Sequence, residues 1–136
     1  MTDIHSQEAL SKWVREQFQR ANKHLAEKGI LFESVKAEDS RYLAPHVAVW
    51  KIKANDKKSY WVISGDVPAD ATLAESAANA REAIKRFSYL WQMQSENIRQ
   101  SGTTDNTQLE FAKLLEEKAN MLYQVSDDET LWQDQP

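Results

Sequence analysis

Two carboxylates four residues apart, Asp66 and Asp70, lie in Ser64-Gly65-Asp66-Val67-Pro68-Ala69-Asp70, the most site-like stretch of this chain. Such a pair can hold a cation, receive an amine or carry out acid–base work. The stretch is read as joining a strand to a helix N-terminus, a place where open sheets often bind ligands. The competing reading is structural. Asp66 would stabilise a turn and Asp70 would complement the helix dipole. Physical chemistry favours that second reading. A helix N-terminus keeps carboxylates ionised, whereas a general acid needs a raised pKa. Arg41, beside Tyr42 and set against Trp50 and Trp61, is a second constellation. An arginine among aromatics can stack on a planar ligand or clamp a carboxylate, although such tryptophans more often fill a core. The candidate binding residues are therefore Arg41, Trp50, Trp61, Asp66 and Asp70, with no residue assigned to catalysis.

Other chemistries lose ground on composition. Cysteine is absent, which removes disulfides, thiolate nucleophiles and cysteine-ligated metals. The histidines are His5, His24 and His46, and neither His-x-x-x-His nor Glu-x-x-His occurs, so no metal ligand set is assigned. The 3 glycines each have a structural task, Gly29 and Gly102 ending helices and Gly65 a strand. None remains for a phosphate-cradling loop, and no cofactor is expected. Ser64 stands in Val-Ile-Ser-Gly-Asp rather than Gly-x-Ser-x-Gly, which disfavours a serine hydrolase. Lys51, Lys53, Lys57 and Lys58 gather near one turn, but Asp56 interrupts them. The chain carries 17 basic and 21 acidic residues, a net charge of −4. Nucleic acid is not an expected partner, and lysines that blunt a sheet edge are the simpler reading.

The elements that must position these residues follow from periodicity. Leu10, Trp13, Val14, Phe18, Ala21 and Leu25 predict a helix from about Ser6 to Lys28, closed by Gly29. On its polar face Glu8 precedes Lys12 and Glu16 precedes Arg20 at i,i+4 spacing. Residues 30–43 read as an irregular first strand. His46–Lys53 and Tyr60–Ser64 predict a hairpin whose two faces are both apolar, so helices or a partner chain must cover each side. Thr72 with Glu75 reads as a capping box opening a helix that runs to about Ser101, roughly 42 Å at 1.5 Å per residue. So long a helix would project or meet another subunit. A third helix is expected from Thr107, boxed by Glu110.

The 136 residues thus predict an α+β fold in the order α-β(2–3)-α-α, a small antiparallel sheet of two to three strands packed with three helices. Residues 1–125 would form a single domain and residues 126–136 an acidic tail. The longest apolar runs, Val47–Trp50 and Tyr60–Ile63, are far too short to span a membrane. No secretory signal is read in the first residues, so the expected location is the cytoplasm.

Three segments are similar to a small bacterial family that carries only a domain-of-unknown-function label. They are Arg41-Tyr42-Leu43-Ala44-Pro45-His46-Val47-Ala48-Val49-Trp50-Lys51-Ile52, the run from Tyr60 to Asp70, and the run from Asn79 to Gln94. The resemblance implies a bacterial cytoplasmic protein and transfers no functional position. Two functions stay open. One is a non-enzymatic interaction or accessory module that self-associates or meets another protein. The alternative is a small-molecule binder or enzyme with a pocket around residues 64–72.

Overall fold

The computed structural model describes residues 6–133, so His5 lies outside the described residues. They fall into two units that divide between Ala83 and Ile84. In the first unit, helix α1 (Gln7–Glu27) precedes strands β1 (Phe32–Val35), β2 (Arg41–Leu43), β3 (Val47–Ala54), β4 (Ser59–Gly65) and β5 (Asp70–Leu73), then a 3₁₀ turn at Ala74–Ser76. Helix α2 (Ala80–Gln100) leads into the second unit, which holds α3 (Asn106–Asp127) and a 3₁₀ turn at Glu129–Trp132. The fold is α+β with an antiparallel sheet. Its five strands exceed the two or three expected.

Helix α1 starts and stops where local chemistry dictates. The Ser6 hydroxyl accepts the Ala9 N–H at 3.1 Å, satisfying one of the first turn's orphan donors. At the other end Gly29 takes φ +77, Ile30 N–H reaches the Leu25 carbonyl and Gly29 N–H the Ala26 carbonyl. That is a Schellman closure, and Ile30 then packs on the cluster that contains Leu25.

The sheet is ordered β1-β3-β4-β5, with β2 also on β3. Residues 32–43 are one edge broken in two: β1 pairs with the end of β3 and β2 with its beginning. Ser40 bridges the break. Its Oγ accepts the Lys51 N–H at 3.0 Å, while Lys36 N–H takes the Lys51 carbonyl at 2.8 Å. The gap thus leaves neither backbone group of Lys51 unpaired. The β3–β4 turn closes with Lys57 N–H on the Ala54 carbonyl and Lys57 at φ 72, a left-handed position occupied here by a residue with a side chain.

One face of the sheet receives α1. Ala48, Trp50, Ile52 and Val62 pack with Ala21 and Leu25, and Phe18 meets Trp50 edge-on at 5.1 Å. Inside this interface Trp50 Nε1–H donates to Ser64 Oγ (3.2 Å), and the Ser64 hydroxyl donates to the Gln17 carbonyl (3.0 Å). Ser64 is fully buried. On the opposite face Val47, Val49, Trp61 and Ile63 are likewise fully buried.

The long helix expected from Thr72 divides in the structure. Thr72 pairs with Trp61 in β5, and the helix opens at Ala80, where Asn79 Oδ1 accepts the Glu82 N–H at 2.9 Å. Helix α2 has 21 residues, about 31 Å. Segment 74–77 folds over Trp61 instead, whose Nε1–H is shared by the Ala74 and Ala77 carbonyls, each at 3.1 Å. That indole contact holds the chain in a short 3₁₀ turn where periodicity alone favoured a continuous α-helix.

In the second unit α2 and α3 run antiparallel. Ser88 Oγ donates to the Ala119 carbonyl and Ser95 Oγ to the Ala112 carbonyl, both at 2.7 Å. The bonds lie seven residues apart on each helix, and the small alanines opposite permit the approach. The 126–136 segment is not wholly a tail. Asp127 ends α3, and Trp132 is buried with its Nε1–H on the Val125 carbonyl at 3.0 Å.

Two outcomes follow. Ser64→Ala strands the Trp50 N–H in the core and should lower unfolding free energy by about 1–3 kcal/mol in urea titration. Lys57→Gly relieves the left-handed backbone and should raise it by about 0.5 kcal/mol.

Candidate functional site

The segment between β4 and β5 is held by α1. Arg20 donates through Nη1 to the Gly65 carbonyl and to Gln17 Oε1 (3.1 Å), and through Nη2 to the Val67 carbonyl (3.2 Å). Gly65 sits at φ +124, and a Cβ there would stand 2.6 Å from the His46 carbonyl oxygen and 2.7 Å from Val47 Cα. No larger residue fits this approach. Val67 is buried, while Asp66 is exposed and gives its N–H to the His46 carbonyl at 2.8 Å.

Beside this segment lies a groove of about 190 Å³ lined by Arg20, Lys23, His24, Glu27 and Ala69. It is smaller than the roughly 300–1,000 Å³ typical of small-molecule sites. His24 is half-buried, and its Nε2 is shielded from solvent and meets no hydrogen-bond partner. Burial, then the charge of Lys28, pushes its pKa below the usual 6.5, against the smaller pull of Asp70 and Glu27. A larger groove, about 440 Å³, lies at the other end of β5 between Lys58, Ser59, Leu73, Ala74 and Glu75. Among the described residues, no three His, Asp or Glu side chains are grouped to hold a metal ion. No described helix is long and apolar enough to cross a membrane.

The five candidates from sequence do not meet. Trp50 pairs with Val62 and Trp61 with Lys51, so adjacent strands send the two indoles to opposite faces. Trp50 is 7% exposed and Trp61 not at all, each with its N–H bonded inside the protein. Neither offers a ligand a face. Arg41 and Asp70 belong to one row, Arg41–Val49–Ile63–Asp70, at its two ends. Three strand spacings, roughly 14 Å, separate their backbones. Asp70 does not cap a helix; its Oδ1 accepts the Ala71 N–H at 2.8 Å as β5 begins. Of the five, Asp70 exerts a charge effect on the groove, through His24.

Arg20 and His24 were not among the candidates. Arg20 reads from sequence as half of a surface pair with Glu16, and nothing local tells that its fork reaches carbonyls 45 and 47 residues away. Arg20→Ala should lower stability by about 1–2 kcal/mol, with Arg20→Lys restoring only part, because an ammonium cannot reproduce the fork. Urea titration of the three proteins checks this.

No curated protein and no solved structure is significantly similar to this chain. The family described as Domain of unknown function (DUF4826) matches residues 7–132, most of the chain. The chain, with its α1-clamped sheet and its serine-laced helical hairpin, belongs to that DUF4826 family.

Proposed function

We propose that this protein is a non-enzymatic interaction module that self-associates through α3. The observation that carries the reading is a second apolar stripe on that helix. Ala112, Leu115, Ala119 and Leu122 form the buried stripe. Phe111, Leu114, Met121 and Val125 recur at three-, seven- and four-residue steps beside it, about 100° around the helix. Phe111 is 39% and Leu114 38% exposed, with Met121 and Val125 half-buried. An aromatic and an aliphatic anchor on one rigid helix suit a protein contact better than a small ligand.

Dispersal of the five site candidates weakens the small-molecule reading, and neither groove on the sheet gathers them. The expected overlong helix no longer supports self-association, since α2 is shorter; the α3 stripe takes its place. A bacterial source and a cytoplasmic location belong to the same proposal and rest on the family resemblance and the cysteine-free composition.

Sedimentation equilibrium of the full chain should show concentration-dependent association. Phe111→Glu with Leu114→Glu should shift it to monomer while leaving the thermal midpoint within a few degrees. A wild-type monomer at every concentration, or a charged double variant that associates equally well, would contradict the proposal.

A further inference from the structure

The contact between the last turns of α1 and the β4–β5 segment contains one titratable group placed where a proton cannot be accommodated without movement. His24 Nε2 is closed off from solvent and has no acceptor or donor opposite it. A neutral imidazole tolerates this, because one of its nitrogens needs no acceptor. An imidazolium carries N–H on both nitrogens, and each requires a partner or water. The charged groups near it are, on α1, Arg20, Lys23, Glu27 and Lys28, and, at the start of β5, Asp70, whose charge reaches the imidazole. Three of the four on α1 are cationic, and among them the charge of Lys28 opposes a proton on the imidazole.

We infer that His24 is a proton-sensitive latch: neutral, it lets the end of α1 lie against Ala69 and Asp70, and its protonation loosens that contact. The release is local because the two anchors of α1 nearest the latch differ in kind. Leu25 and Ala21 are buried in the sheet interface and do not titrate, whereas the edge formed by His24 and Glu27 lines the open groove. Acidification therefore affects the last turns of α1 and the start of β5 before it affects the core.

The sign follows from linkage. The folded pKa lies below the usual 6.5, so the open or unfolded form binds the proton first. The contact is at full strength above about pH 6.5, weakens as pH falls toward the folded pKa, and loses no more below it. Each pH unit between the two values changes the open fraction by about a factor of ten.

The test is an NMR titration of the full chain from neutral to mildly acidic pH, following the His24 imidazole together with the amides of residues 22–28 and 66–71. The latch requires His24 to titrate below the free-histidine value and those amides to change with the same midpoint. It also requires that midpoint to fall in Asp70→Asn and the amide change to vanish in His24→Gln. If His24 titrates at or above the free value, or if the amides change identically in His24→Gln, the latch is wrong and carboxylates account for the response. Should His24→Gln not fold, coincidence of the imidazole and amide midpoints in the wild type, with their joint shift in Asp70→Asn, decides the matter.

Discussion

A serine hydroxyl between an indole and a helix carbonyl fixes how this protein's first unit is put together. Trp50, Ser64 and Gln17 form a buried chain of donors and acceptors across the α1–sheet interface. Apolar burial drives α1 onto the sheet, but burial is indifferent to small slides along the helix. The hydrogen-bond chain is not, since a buried N–H left open costs about 1–3 kcal/mol. With the register of α1 set, Arg20 stands opposite the Gly65 and Val67 carbonyls and draws the β4–β5 segment against the helix. That placement then puts His24 beside Ala69 and within the field of Asp70.

The helical hairpin uses the same device in another setting. Ser88 and Ser95 reach carbonyls of α3 next to Ala119 and Ala112, so small residues bring the backbones near and hydroxyls fix the register. This consumes the alanine–leucine stripe of α3 and leaves the stripe of Phe111 and Leu114 exposed. A soluble surface carries isolated apolar groups without consequence. Aligned on one helix face beside a packed one, they give the hairpin the character of a contact surface, which is the basis for proposing self-association.

Much of the fold was legible in the sequence. The stop at Gly29 and the β3–β4 hairpin arise from contacts within a few residues, whereas α3 is capped by Asp105, whose Oδ1 accepts the Thr107 N–H, and not by the expected box of Thr107 with Glu110. Alternation along β3 and β4 correctly separated the two faces of each strand. What it lacked was register: only the pairing of Lys51 with Trp61 places the two tryptophans back to back. The largest departure was at Thr72, where Leu73, Ala77 and Ala80 fit a helical period but the Trp61 N–H captures the Ala74 and Ala77 carbonyls. The true start was written in Asn79 and Glu82, a capping signal of equal quality seven residues later. Arg20 and His24 stayed hidden because what distinguishes them is long-range: carbonyls across the fold for one, shielding without a partner for the other.

Both tryptophans of the hairpin are held to be structural, with indole N–H groups spent inside the protein, and their exchange with solvent tests that most directly. Measured by NMR in deuterated buffer, the Trp50 and Trp61 indole protons should persist as long as the slowest backbone amides of β3 and β4, exchanging only when the sheet opens. Exchange as fast as that of exposed side chains would place an indole at an accessible surface. The binding role for Trp50, Trp61 and their neighbours would then have to replace the structural one.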